Sequence, residues 1–257
     1  MFMVTVFEVP SPMERAVASL AARQGVHASE ARTRLAGGFP RIVQVFADPS
    51  AANALAAGLR ADGFTAGVVD GDTVSNDARR DLARSLAFGP DGLDAELRGN
   101  RTRTLAYGSV RALLHGVRTG VATSTEETTV KSFSGARTIL TGGLSTHSTK
   151  TVTSTKSTEV RETFVYVVGA PGEPWLAVYE RSMNYAFLGA ARAPSSMANF
   201  TTVLSTLRAR CPAAAYDARM TRPGGFGLVP LCPPGLDPGA WKSDVAAALV
   251  ALGIAAG

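Results

Sequence analysis

The stretch from Thr163 to Arg210 constrains this chain more than any other. Phe164 to Val168 and Trp175 to Tyr179 are short β-branched and aromatic runs separated by Gly169-Ala-Pro-Gly-Glu-Pro174, which predicts two strands joined by a hairpin turn. Pro194-Ser195-Ser196 then signals a helix start, with Met197, Phe200, Leu204 and Leu207 on one face. Arg208 and Arg210 sit in the last turn, where cations suit the helix dipole, and Pro212 stops the helix. An amphipathic helix of this kind needs a sheet to cover. The strands that precede it must supply one, and the stretch itself holds no catalytic constellation.

The first 74 residues make a separate pattern. Met3 to Phe7 alternates as a strand; Met13 to Gln24 carries Met13, Val17, Leu20 and Ala21 on one helical face; Ala28 to Ala36 is a second short helix. Arg41 to Phe46 is a strand, Asp48 caps a third helix with Pro49 in its first turn, and Phe64 to Val69 returns as a strand. The order βααβαβ predicts a two-layer sandwich. Ser29-Glu-Ala-Arg32 and Ala52-Asn-Ala-Leu-Ala-Ala-Gly-Leu-Arg-Ala-Asp-Gly63 resemble the C-terminal domain of the ribosomal stalk protein, whose fold the Clp-protease adaptor shares. That resemblance implies a small docking domain. The lysine-rich face by which the stalk domain engages translation factors is missing, since Arg15, Arg23, Arg32 and Arg34 are the only basic residues on the first two helices.

Residues 73–80 read as a linker to a second domain at 80–212. Ser85 to Phe88, Leu93 to Leu97, Thr102 to Tyr107 and Val110 to Val117 form a meander of short strands. Phe88-Gly-Pro-Asp-Gly-Leu93, Leu105-Ala-Tyr-Gly-Ser-Val110 and the helix Ser196 to Arg210 together resemble a pleckstrin-homology-like or GRAM-like domain. The resemblance implies a mostly antiparallel barrel or sandwich closed by that helix. The whole chain is therefore expected to be α+β.

Inserted at 119–160 is a tract in which twenty of the forty residues from 119 to 158 are Ser or Thr. Threonine is β-branched, so Thr123 to Val130 and Thr149 to Val160 are expected as two long strands of a hairpin. Disorder is the competing reading. The tip, Phe133 to Leu144, places Phe133, Ile139, Leu140 and Leu144 beside Lys131, Arg137 and Lys150, with no acid between Lys131 and Lys156. Apolar residues at an exposed turn among cations are costly unless something covers them, so these seven are the candidate contact residues. The cover is a protein partner, the chain itself, or an anionic membrane surface. From 213 to 257 a Pro/Gly-rich wrap leads to a last helix, Asp244 to Leu252, with Val245, Leu249 and Leu252 on one face and Trp241 as an anchor.

The net charge of +5 is carried by the middle of the chain: residues 76–210 hold seventeen basic residues against eleven acidic. His27, His115 and His147 are isolated in sequence; no phosphate-binding glycine motif or nucleophile elbow occurs; and adjacent Glu126 and Glu127 point to opposite faces of a strand. Two cysteines, Cys211 and Cys232, are too few for a disulfide framework, although they could pair. No apolar run reaches membrane-spanning length. The expectation is a non-enzymatic, cytoplasmic binding or scaffold protein without cofactor, metal, nucleic acid or small-molecule substrate. A peripheral membrane protein is the alternative.

Overall fold

The computed structural model describes residues 1–71, 80–133, 147–221 and 238–256. The molecule is α+β. It divides into two compact units, one of residues 1–118 with 162–257 and one of Thr119–Arg161.

The first unit begins with β1 (Phe2–Glu8), α1 (Met13–Gln24), α2 (Ala28–Leu35), β2 (Arg41–Phe46), α3 (Pro49–Ala61) and β3 (Thr65–Asp70), the order read from the sequence. Local chemistry sets these boundaries. Gly25 closes α1 at φ 64°, which a residue with a Cβ adopts only under strain. His27 Nδ1 accepts from the Ser29 amide at the start of α2, and the Asp48 carboxylate accepts from the Ser50 and Ala51 amides at the start of α3, where Pro49 fills the first turn. β1 is central in the order β2-β1-β3 and antiparallel to both neighbours. Val4 and Val6 face the helices and bury against Leu20, Leu55 and Leu59.

The second sheet contains β4 (Asp81–Phe88), β5 (Gly92–Leu97), β6 (Thr102–Ala106), β7 (Ala112–Phe133), β8 (His147–Val168), β9 (Leu176–Tyr179) and β10 (Ala215–Met220), in the order β10-β7-β8-β9-β4-β5-β6. β8 and β9 pair antiparallel from Phe164↔Tyr179 to Val167↔Leu176, so the turn of 169–174 joins them as the hairpin pattern requires. Two neighbours are parallel, β4 with β9 and β7 with β10. β10 and β6 are the outer strands, so no barrel closes among the described residues. Of the two expected forms, barrel and sandwich, the barrel is not formed.

One face of this sheet is covered by α4 (Ser196–Arg210), capped by Ser195 Oγ on the Ala198 amide at 3.2 Å. The buried stripe is Phe200, Val203 and Leu207, with Leu204 half-buried. Met197, expected on that stripe, is 61% exposed. Asn199 takes the inward position in the first turn instead, its amide holding both the N–H and the C=O of Ala193 at 2.6 and 2.9 Å. A polar clamp on the entering loop displaces the methionine.

The last helix, α5 (Pro238–Ala256), is apolar all round rather than along one stripe. It lies between the two sheets. Trp241, Val245 and Leu249 pack with Met3, Ile42 and Val69 on the back of the first sheet. Ala246, Ala247 and Val250 pack with Phe164, Tyr166, Ala177 and Tyr179 on the second. Gly253 lets the helix approach Phe7, whose ring would stand 3.0 Å from an added Cβ. Leu252, expected beside Val245 and Leu249, is 39% exposed. The Pro/Gly-rich stretch from Cys211 to Gly239, expected as an extended wrap or linker, contains the edge strand β10 at Ala215–Met220. Cys211 is a buried free thiol at the end of α4, and Cys232 lies outside the described residues.

Candidate functional site

The seven expected contact residues fall in and around the second unit. β7 and β8 each run 22 residues, and the parts from 119 to 133 and from 147 to 161 belong to Thr119–Arg161. Lys131 and Phe133 lie on β7, and Lys150 lies on β8. Arg137, Ile139, Leu140 and Leu144 lie outside the described residues. The strands of the Ser/Thr-rich tract therefore form, and they are neighbours in the sheet order. β10 pairs with β7 only between Ala112 and Gly116, and β9 pairs with β8 only between Phe164 and Val167. Beyond those points no third strand pairs with either among the described residues.

Within the first unit the sequence reading missed a buried polar cluster. Arg80, placed in a linker by its polar neighbours, is 8% exposed, and its Nη1 donates to Asp244 Oδ1 of α5 at 2.6 Å. Tyr166 donates to the same oxygen at 2.9 Å, and its hydroxyl lies 3.2 Å from that of Tyr179. The guanidinium stacks on the Tyr166 ring at 4.3 Å and reaches Trp175 at 5.7 Å. Burial alone would lower the Arg80 pKa, but Tyr166, Asp244 and Tyr179 outweigh it, so the guanidinium is held above its ordinary value. Burial, with Asp244 adding to it, pushes the Tyr166 hydroxyl well above its ordinary range. Both groups keep one protonation state at any physiological pH. Such a cluster ties α5 to the second sheet. Tyr166 and Tyr179 are 0% and 2% exposed, both core residues of the second sheet.

Beside this cluster runs a groove of about 1120 Å³ between β3, the β8–β9 loop and the later turns of α5, walled by Val68, Val110, Trp175, Ala251 and Leu252. Of the charged groups along it, Arg80 is engaged with Asp244 and Glu173 with Arg103 at 3.0 Å, while Arg103 also holds Asp81 at 2.9 Å; Arg111 is exposed. A second cluster lies on the α4 side, where His115 Nδ1 and the Tyr216 hydroxyl are 2.9 Å apart and Arg208 stacks on the Tyr216 ring at 4.1 Å. Burial and the Arg208 charge lower the His115 pKa. Among the described residues no three His, Cys, Asp or Glu side chains gather as metal ligands, and no helix is long and apolar enough to cross a membrane.

No known family model matches the chain. No curated protein or solved structure matches it either.

Proposed function

We propose that the protein is a non-enzymatic binding or scaffold protein whose contact element is the β7–β8 ribbon of Thr119–Arg161. One observation carries this reading. Two 22-residue strands leave the pairing of a sheet whose other members have four to eight residues, and together they make a compact unit of their own. Ordering so many residues costs conformational entropy, roughly 1–2 kcal/mol per residue for the backbone, and among the described residues no third strand pairs with 119–133 or 147–161. A contact made with another molecule offsets that cost.

Site-specific photo-crosslinking tests the reading: a photoreactive amino acid at Phe133 or Thr155, in cells expressing the full chain, yields discrete adducts that the same group at exposed Met197 does not. Absence of ribbon adducts sinks it. The run of basic residues from Lys131 to Lys156 supports a second target, an anionic membrane surface. Vesicles containing phosphatidylserine separate the two, because lipid attraction of that kind collapses at high ionic strength whereas strand or apolar contacts persist.

A further inference from the structure

We propose that the partner of the ribbon is a second copy of this chain, added edge to edge, with the β7 edge of one copy pairing with the β8 edge of the next. The inference rests on the contact reading above and names its partner.

The backbone argument comes first. In a strand every second residue turns its N–H and C=O to the same side, so fifteen residues with one strand neighbour leave about seven such groups on the outer edge. At about 3.3 Å per residue each open edge is roughly 50 Å long. Two strands alone are marginally stable in water, and three or more are needed for independent stability. A second copy supplies the missing third and fourth strands with the same sequence and the same length.

Composition agrees with the backbone. Folded chains usually blunt an open edge with a proline, with charged side chains such as the lysines at 131, 150 and 156, with very short strands or with a covering element. Fourteen prolines occur in this chain and none falls in 119–133 or 147–161. Both segments contain five Thr and two Val, residues that favour extended backbone.

Charge decides which edge meets which. Residues 119–133 carry Glu126, Glu127 and Lys131, a net −1, while residues 147–161 carry Lys150, Lys156, Glu159 and Arg161, a net +2. A twofold contact would set β7 against β7 or β8 against β8 and bring like charges together. A β7-to-β8 contact brings opposite charges together. Such a contact is heterologous, so each added copy presents the same free edges again and the assembly propagates.

Sedimentation velocity of the full chain from low to high micromolar concentration tests this, using two charge-reversed variants, Glu126→Lys/Glu127→Lys and Lys150→Glu/Lys156→Glu. The wild-type protein is expected to form species larger than a single chain as concentration rises. For each variant alone, half-assembly should need a several-fold or greater rise in concentration, because the two segments that meet then carry net charge of the same sign. An equal mixture of the two restores opposite charges at every contact and should assemble again. Far-UV circular dichroism checks that each variant keeps the wild-type strand content. A wild-type protein that sediments as a single chain throughout, or variants that assemble as it does, overturns the proposal. The crosslinking experiment then separates the two failures: ribbon adducts with a different polypeptide keep the contact reading and remove the second copy, and no adduct removes both.

Discussion

Asp244 is the one acidic residue of α5, and it is buried against Arg80. The pair is buried, with side-chain exposures of 5% and 8%, and shares its oxygen with Tyr166. Its worth lies in specifying how α5 is seated, because two buried charges regain little over a well-packed apolar pair yet penalise any arrangement that separates them. Asp244→Ala should therefore cost about 3–5 kcal/mol in urea unfolding, since it strands the guanidinium in the interior. The double replacement Arg80→Met/Asp244→Leu should cost far less than the single one; a double variant as unstable as Asp244→Ala would refute this account. His115 gives a pH-dependent counterpart. Its folded pKa lies below the ordinary 6.5, so the unfolded chain binds the proton more readily. The stability that neutral His115 contributes is complete above 6.5 and is lost as pH falls through the folded value. His115→Phe should flatten the unfolding free energy in the window just below pH 6.5, before the carboxylates titrate.

At the scale of elements, legibility tracked local signals. β1 to β3 and the three helices between them carry caps, a proline at a first turn and periodic apolar faces, so the chain reads as it folds. The β8–β9 hairpin and α4 read equally well for the same reason. β10 did not, because Ala215-Tyr-Asp-Ala-Arg-Met220 sits among prolines and glycines and gains its strand character only from parallel pairing with β7. The extent of α5 was missed although Asp237-Pro238 is a helix-start signal, since the glycine that follows reads as a breaker. Arg80 was invisible as a core residue because its partner is 164 positions away. An exposed-versus-buried contrast along α5 checks its seating. Leu249→Ala should destabilise by about 2–5 kcal/mol, as a large-to-small change with no exposure, whereas Leu252→Ala should stay within about 0.5 kcal/mol. Equal effects in chemical denaturation would mean that the helix is rotated from the orientation described.

The first unit as a whole is a stack in which one helix serves as core to two sheets. The inner face of the first sheet is finished by α1 and α3, and its outer face by α5. The second sheet is covered by α4 on one side and by α5 on the other. The Ser/Thr-rich stretch Thr119–Arg161 is a compact unit of its own. The Ser/Thr composition marks that stretch in the sequence, whereas the seat of α5 rests on contacts between residues far apart in the chain, as between Arg80 and Asp244.

The position of α5 also sets a clock. On the ribosome, the first sheet is complete at Asp70, but Trp241, which covers its back, is made about 170 residues later. At roughly 5–20 residues per second that is a delay of about 10–35 s. Throughout it Met3, Ile42 and Val69 lack the cover that α5 gives them in the folded molecule. A nascent protein of this design waits with two apolar faces open, and whatever shields them during synthesis must leave before the helix arrives.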